Sequence, residues 1–256
     1  MAIEGLLIDL EGVLAVGWAP VPGAVEAVGE LQDRGVPWRI VTNTTSDTRR
    51  GVARRLADIG FPVTADDVVS APAATGAHLR SEHPDARCFL VNHGDLSEDL
   101  AGVDLVDDGP VDVVVLGGAG VEFAYERLNQ AFTHLMEGAA LVAMHRGLSW
   151  RTADGFALDT GAYVLGLEQA AGVTATVVGK PEAAFFLQAV AELGVEPDRV
   201  AMVGDDVDND VLAAQACGLQ GVLVRTGKFR QETLAAADGD PDDIVDSFAD
   251  VPAILR

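Results

Sequence analysis

Short apolar segments alternate with amphipathic segments along the whole chain. Leu6–Leu10 and Trp38–Thr42 are apolar runs that end in polar residues, so both are predicted to be buried strands. Ala24–Asp33 and Asp47–Ile59 carry apolar residues at helical spacing, and a glycine follows each of them closely. Strands that alternate with helices in this way are typical of the α/β class with a parallel sheet.

The same alternation continues to the end of the chain. In the middle, strands are predicted at Cys88–Val91, Val111–Leu116 and Leu141–Met144, and helices at Ala74–Ser81, Phe123–Met136 and Ala162–Ala171. Later, strands are predicted at Thr176–Val178, Val200–Val203 and Gly221–Arg225, and helices at Glu182–Leu193 and Val211–Cys217. The acidic stretch Asp238–Asp246 is predicted to be a surface loop before a last short helix.

The composition limits the classes of partner that the protein is expected to bind. The formal net charge of −23 over 256 residues speaks against nucleic acid and against anionic membranes, since both attract basic surfaces. Cys88 and Cys217 are far apart and have no metal-ligand spacing, so we expect two reduced thiols and a cytoplasmic protein. The N-terminal apolar run is too short for a signal peptide, and no stretch reaches the length of a transmembrane helix.

Polar residues gather where four of the predicted strands end. They are Asp9-Leu10-Glu11-Gly12, Thr42-Asn43, Gly179-Lys180-Pro181 and the run from Gly204 to Asp210. Open α/β sheets bind their ligands at the carboxyl ends of the strands. The sequence therefore predicts that the four clusters meet in one pocket.

Asp9 and Glu11 have the residue types that covalent phosphoryl transfer requires. Two residues apart on a strand, their side chains point to the same side if the strand persists. One carboxylate can attack phosphorus and form an aspartyl-phosphate. The other can protonate the leaving oxygen and then accept a proton from the hydrolytic water. We predict Asp9 as the nucleophile and Glu11 as the general acid and base.

A divalent cation is predicted because clustered carboxylates repel a phosphate dianion and one another. Mg²⁺ is commonly held by one or two carboxylates, waters and phosphate oxygens. Asp9 and Asp205 are predicted as direct ligands, together with the backbone carbonyl of Glu11. Asp206 and Asp210 are predicted either to bind the metal directly or to orient its waters.

The phosphate itself needs a fixed cation and hydrogen-bond donors. Lys180 is one of only two lysines, with Lys228, and it lies at a predicted strand end. We predict that Lys180 binds the phosphate and that Thr42 and Asn43 donate hydrogen bonds to its oxygens. Each motif alone has an ordinary explanation as a turn, a cap or a solvated acidic loop. Their conjunction at successive strand ends favours the catalytic interpretation.

This ordered set of motifs resembles the haloacid dehalogenase superfamily over the whole chain. The subgroup of phosphatases with a large α/β cap between the second and third motifs is the most similar. Three further stretches strengthen that resemblance: Ser70–Ala74, Val178–Pro181 and Val224–Arg230. The resemblance assigns Asp9 as nucleophile and metal ligand, Asp205 as metal ligand, and Thr42-Asn43 and Lys180 as phosphate-binding residues.

The resemblance also implies an architecture and a reaction. The fold would be a Rossmann-like core of residues 1–75 and 176–256, with an α/β cap of residues 76–175 inserted into it. The reaction would be Mg²⁺-dependent hydrolysis of a small phosphorylated metabolite, with a homodimer formed through the caps. Glu11 departs from the superfamily, which usually has aspartate at that position, and its carboxylate reaches one methylene further.

Three alternatives remain open at this point. A longer carboxylate at Glu11 is compatible with a regulatory protein that binds metal and phosphate but turns over little. A receiver domain also uses aspartate, threonine, lysine and Mg²⁺ at strand ends, although its length is that of one small domain. Dehalogenase activity is disfavoured, because clustered carboxylates suit Mg²⁺ and a phosphoryl group better than a halide.

Overall fold

The computed structural model describes residues 3–152 and 155–255. In chain order the strands are β1 (Gly5–Ile8), β2 (Ala15–Val16), β3 (Ala19–Pro20), β4 (Trp38–Thr42), β5 (Val68–Ser70), β6 (Arg87–Val91), β7 (Asp104–Leu105), β8 (Val113–Leu116), β9 (Ala140–Ala143), β10 (Ser149–Thr152), β11 (Gly155–Leu158), β12 (Thr176–Val177), β13 (Val200–Gly204), β14 (Gln220–Val224) and β15 (Asp243–Val245). The α-helices are α1 (Ala24–Asp33), α2 (Arg49–Asp58), α3 (Ala71–Glu82), α4 (Tyr125–Met136), α5 (Thr160–Ala171), α6 (Ala183–Leu193), α7 (Ala213–Ala216), α8 (Gln231–Ala236) and α9 (Val251–Ile254).

The chain divides into two compact units. The first comprises Met1–Thr42, Arg49–Val69 and Lys180–Arg256, and the second comprises Asn43–Thr48 and Ser70–Gly179. Each unit has a sheet of its own. Among the described residues, no helix combines the length and the apolar character that crossing a bilayer requires.

The first unit is built on a six-stranded sheet with the strand order β15-β14-β13-β1-β4-β5. From β15 through β4, each pair of neighbouring strands is parallel. The central strand β1 is buried along its whole length, as expected for a strand with its two faces covered. Leu6 and Ile8 pack with Ile40 and with side chains of α1 and α2 in one apolar cluster. The predicted α/β class with a parallel sheet is confirmed.

The second unit contains a five-stranded sheet with the order β12-β9-β8-β6-β7, in which all pairings are parallel. Successive residues along its strands belong alternately to two apolar clusters, so both faces of the sheet are buried. On β8, for example, Val114 and Leu116 belong to one cluster, and Val113 and Val115 belong to the other. This burial on both sides explains why the middle of the chain has continuous apolar runs.

The boundaries between the units differ from the predicted ones. Residue 75 lies inside α3, which begins at Ala71 and belongs to the second unit. Thr176–Val177 forms β12, which pairs with β9 of the second sheet and was predicted to be a strand of the core. The correction has a simple cause, because a short apolar run does not reveal which sheet it will join.

Candidate functional site

The first strand of the chain places Asp9 at the carboxyl edge of the sheet of the first unit. The backbone N–H of Asp9 donates to the carbonyl of Val203 at 2.9 Å, which continues the pairing of β1 with β13 by one residue. The apolar neighbours on β1 bury the strand, and Asp9 itself is 7 % exposed. The parallel register therefore brings Asp9 beside the residues that follow β13.

Asp205 follows β13 directly and is 2 % exposed. Its Oδ2 accepts a hydrogen bond from the backbone N–H of Lys228 at 2.7 Å. Its Oδ1 is buried and has no hydrogen-bond partner among the described residues. A buried carboxylate oxygen without a hydrogen-bond partner is costly in a folded protein, so a ligand that contacts Oδ1 would be stabilising.

A π-helical turn, Val207–Leu212, carries Asp210 back towards the strand end. Asp210 is 3 % exposed. A Cβ added at Gly204 would lie 2.3 Å from the Cβ of Asp210, so the turn packs closely against the end of β13. Carboxylate oxygens of Asp9, Asp205 and Asp210 lie within 4.8 Å of one another. Three of the predicted site residues are thus brought together.

Lys180 is the buried cation of this group. Its Nζ lies 2.6 Å from Oδ1 of Asp9 and 2.7 Å from Oδ1 of Asp210. Burial opposes the charge of Lys180, but the carboxylates of Asp210 and Asp9 outweigh it and raise the pKa of the ammonium above its usual value. Lys180 therefore stays positively charged. It begins the last segment of the first unit, not the end of a core strand as predicted.

One lysine does not neutralise three carboxylates. Burial, followed by repulsion from Asp9 and Asp210, raises the pKa of Asp205 to about 8. Burial also raises the pKa of Asp210 to about 6, although the charge of Lys180 opposes this. In the absence of a further cation, the group therefore favours protonation of at least one carboxyl.

Asp206 and Glu11 do not belong to this group of three. Both oxygens of Asp206 accept hydrogen bonds from Asn209, Oδ1 from the backbone N–H at 3.0 Å and Oδ2 from the side-chain amide at 2.9 Å. Glu11 Oε1 accepts the backbone N–H of Gly17 at 2.9 Å. The pKa of Glu11 is raised, chiefly by desolvation of its carboxyl group, although the residue as a whole remains exposed.

Thr42 and Asn43 follow one another at the end of β4. Thr42 is the last residue of the strand and is 2 % exposed. Because Ile8 on β1 pairs with Ile40 on β4, Thr42 lies at the same edge of the sheet as Asp9. Asn43 is the first residue of the short segment that belongs to the second unit.

The loop that follows β14 was not among the site residues predicted from the sequence. Thr226, Gly227 and Lys228 lie beside Asp205 and Gly12. The loop lies in the stretch Val224–Arg230, which contributed to the family resemblance but not to the predicted site. Burial opposes the charge of Lys228, but Asp205 and the other carboxylates raise its pKa. A glycine beside the second lysine of a lysine-poor chain was the available signal.

Two family models match the chain. The model described as haloacid dehalogenase-like hydrolase matches residues 6–106, and a second, HAD-hydrolase-like model matches residues 177–251. The first match contains Asp9 and Glu11, and the second contains Lys180 and Asp205. The two matches therefore cover both ends of the first unit.

Curated proteins and solved structures agree with these matches. Haloacid dehalogenase-like hydrolase domain-containing protein 2 of Bos taurus is 39 % identical over 239 residues, which is 93 % of this chain and 88 % of that protein. The phospholysine phosphohistidine inorganic pyrophosphate phosphatase of Danio rerio is 37 % identical over 97 % of this chain and 91 % of its own.

Among solved structures, the p-nitrophenyl phosphatase from Archaeoglobus fulgidus superimposes with a TM-score of 0.92 at 29 % identity, covering 100 % of both chains. Similarity of this kind over the full length covers both units. The chain belongs to the haloacid dehalogenase-like hydrolase family.

Proposed function

We propose that the protein is a Mg²⁺-dependent phosphatase that forms an aspartyl-phosphate on Asp9. One observation carries the proposal: three buried carboxylates, Asp9, Asp205 and Asp210, have oxygens within 4.8 Å of one another. Beside them, Lys180 Nζ lies 2.6 Å from Asp9 and 2.7 Å from Asp210. The phosphatase names of the relative from Danio rerio and of the structure from Archaeoglobus fulgidus support the same reaction.

The donor set suits Mg²⁺. All three residues offer hard carboxylate oxygens, which this cation prefers, and none offers sulfur or imidazole. Asp205 Oδ1 has no hydrogen-bond partner among the described residues, so it can serve as a ligand atom for the cation. When bound, Mg²⁺ would neutralise the carboxylates and polarise a phosphoryl oxygen.

Each remaining residue has a role in the proposed reaction. A carboxylate oxygen of Asp9 attacks phosphorus, and the bond from phosphorus to the leaving oxygen breaks. Lys180 balances the charge of the transferred phosphoryl group, while Thr42 and Asn43 donate hydrogen bonds to its oxygens. Water then hydrolyses the aspartyl-phosphate and releases inorganic phosphate.

Glu11 moves the protons. Its raised pKa keeps a proton on the carboxyl group to higher pH than an ordinary glutamate, which suits a general acid for the leaving oxygen. After that transfer, the carboxylate takes a proton from the attacking water. The hydrogen bond from Gly17 holds Glu11 Oε1 in place through both steps.

The substrate is proposed to be a small phosphorylated metabolite. The relatives' names contain a phosphoramidate (phospholysine and phosphohistidine), a phosphoanhydride (inorganic pyrophosphate) and a phosphate ester (p-nitrophenyl phosphate). All three bond types are compatible with attack by Asp9, so the choice depends on the leaving group. The second unit is proposed to be the cap that selects it.

The predicted homodimer and cytoplasmic location are part of this proposal. Trp150, Leu158 and Leu165 of the second unit are exposed apolar side chains that a dimer interface through the caps would cover. Cys88 and Cys217 are both free thiols, which fits a reducing compartment.

Hydrolysis of p-nitrophenyl phosphate with and without Mg²⁺ tests the proposal. We expect turnover only with the metal, and we expect Asp9→Asn to lower kcat by about a thousandfold or more. Asp58→Asn makes the same chemical change at an exposed position of α2 and should leave kcat unchanged. After acid quenching, mass spectrometry should find the phosphoryl group on the peptide that contains Asp9.

Two results would contradict the proposal. Metal-independent turnover would rule out the metal-binding role of the three carboxylates, and an active Asp9→Asn variant would rule out the covalent step.

If the parent enzyme is active, assays of phospholysine, phosphohistidine and pyrophosphate beside the ester will identify its preferred leaving group.

A further inference from the structure

Two glycines enclose one oxygen of Asp205. A Cβ built on Gly12 would lie 1.9 Å from Oδ2 of Asp205, and a Cβ built on Gly227 would lie 2.0 Å from the same oxygen. The Cβ on Gly227 would also lie 2.5 Å from the Cα of Gly12. Real side chains do not tolerate such distances, so neither position accepts any residue larger than glycine while Asp205 keeps this conformation.

Hydrogen bonds fix the loop of residues 226–228 in this place. Thr226 Oγ1 donates to the carbonyl oxygen of Gly12 at 2.5 Å. The backbone N–H of Lys228 donates to Asp205 Oδ2 at 2.7 Å. The loop therefore contacts both the segment after β1 and the carboxylate after β13.

The two oxygens of Asp205 consequently have different environments. Oδ2 is held between the glycines and hydrogen-bonded to the backbone of Lys228. Oδ1 is buried and has no hydrogen-bond partner among residues 3–152 and 155–255. With Oδ2 fixed, rotation of the carboxylate is blocked, and Oδ1 is the oxygen left for a ligand.

The backbone conformation is only one of two reasons for glycine at position 227. The φ of +63° at Gly227 favours glycine, as the φ of +66° does at Gly194. A Cβ at Gly194 would meet nothing within 4 Å, whereas a Cβ at Gly227 would overlap the Asp205 carboxylate. The close approach is therefore a separate requirement at Gly227, in addition to the backbone conformation.

We propose that the loop of residues 226–228 is a positioning element that orients Asp205 Oδ1 towards the divalent cation. Thr226 anchors the loop on Gly12, Gly227 permits the close approach, and the backbone of Lys228 holds Oδ2. The inference rests on the proposed Mg²⁺ site but adds a segment outside the four motifs that define it. None of the three residues needs to touch the substrate or the metal.

The test compares two glycines with the same backbone conformation. Gly227→Ala and Gly194→Ala should lower the melting temperature of the metal-free chain, because both place a Cβ at positive φ. Only Gly227→Ala should also weaken Mg²⁺ binding, by about 10- to 100-fold, the usual effect of disturbing a residue that orients a ligand. Isothermal titration calorimetry with Mg²⁺ measures this directly, and the Mg²⁺ concentration for half-maximal turnover should shift in parallel.

A second pair of variants keeps the test informative if Gly227→Ala does not fold. Thr226→Val removes the hydroxyl that binds the Gly12 carbonyl at nearly constant volume, and Thr226→Ser retains it. We expect Thr226→Val to weaken Mg²⁺ binding by several-fold and Thr226→Ser to restore it. A merely structural loop would instead lower the melting temperature of Thr226→Val without changing its affinity for Mg²⁺.

The outcomes separate this inference from the proposed function. If the parent binds Mg²⁺ and is active, but Gly227→Ala binds Mg²⁺ as Gly194→Ala does, the positioning role is overturned and the proposed function stands. If the parent protein itself does not bind Mg²⁺, both are overturned.

Discussion

At the scale of single residues, the site is defined by an imbalance of charge. Lys180 contacts Asp9 and Asp210, and the charge of Lys228 also acts on the buried carboxylates, yet the pKa values of Asp205 and Asp210 remain raised. Removing one partner of a buried ion pair typically costs about 3–5 kcal/mol, because it leaves a charge uncompensated. At Asp205, Oδ1 has no hydrogen-bond partner among the described residues, and repulsion from Asp9 and Asp210 further disfavours the ionised carboxylate. This imbalance is the physical argument for a divalent cation.

Glu11 gives a prediction at the same scale. Glu11→Gln removes the proton that the leaving oxygen receives but preserves the size of the side chain. We expect kcat for p-nitrophenyl phosphate to fall by about 10²- to 10⁴-fold, the usual contribution of a general acid, with little change in Mg²⁺ affinity. Steady-state kinetics at saturating Mg²⁺ measures the first quantity, and calorimetric titration measures the second.

Glu11→Asp distinguishes the enzyme from the low-turnover regulatory alternative. The shorter side chain no longer reaches the backbone N–H of Gly17, which lies 2.9 Å from Oε1 in the parent. A misplaced acid costs rate, so we expect this variant to be slower than the parent. If Glu11→Asp were much faster than a nearly inactive parent, glutamate would be the misplaced residue and the regulatory protein would be favoured.

At the scale of elements, the periodicity of the sequence predicted the buried helices and strands well. The predicted α1 and β4 have the observed bounds, because each is a regular apolar pattern with a clear end. The strand β15 was missed, since Asp243–Val245 lies at the edge of its sheet and in an acidic stretch predicted to be a loop. The hairpins β2–β3 and β10–β11 are also too short to produce a pattern.

The π-helical turn after β13 shows a second limit of periodicity. The sequence predicted a helix from Val211, whereas the turn begins at Val207 and gives way to the helix α7 only at Ala213. Asp206 precedes the turn and caps it through Asn209. Side-chain capping of this kind cannot be separated from metal binding in a stretch where five of the six residues 205–210 are polar, so the sequence left Asp206 with two roles.

Substitution of Asp206 should decide between these roles. If Asp206 acts as a cap, Asp206→Ala should lower the free energy of unfolding by about 1 kcal/mol. Asp206→Ser should recover most of this stability, because serine also accepts a hydrogen bond from the backbone N–H of Asn209. Urea unfolding without metal measures the effect, and Mg²⁺ affinity should remain close to that of the parent in Asp206→Ser. A serine variant that is fully stable but loses Mg²⁺ affinity would show that Asp206 serves the metal.

At the scale of the whole molecule, the sequence predicted the α/β class and the hydrolase family correctly, and both are confirmed. It grouped Asp9, Asp205 and Lys180, which do lie together. It did not place Lys180 correctly in the fold, because β12, the strand before it, joins the second sheet. It also missed Gly227, since a close approach between glycines of distant loops exists only in three dimensions.

The cluster of Asp9, Asp205 and Asp210 should control how the stability of the whole chain depends on pH. In the metal-free protein, burial and repulsion raise the pKa of Asp205 to about 8, against 3.8 for an ordinary aspartate. Between these values the folded chain binds more protons than the unfolded chain, so stability falls as pH rises, by at most about 1.4 kcal/mol per pH unit for one group. Asp205→Asn does not titrate, and its free energy of unfolding should therefore depend less on pH over this interval.

Mg²⁺ should oppose this dependence, because it binds the ionised carboxylates and competes with protons for them. The gain in stability from a fixed concentration of Mg²⁺ should thus be larger near pH 8 than near pH 6 in the parent, and nearly absent in Asp205→Asn. Urea unfolding at the two pH values, with and without Mg²⁺, gives all the required free energies. Equal pH dependence in the parent and in Asp205→Asn would mean that Asp205 ionises normally in the folded chain. In that case the crowding of carboxylates around Lys180 would no longer require a cation.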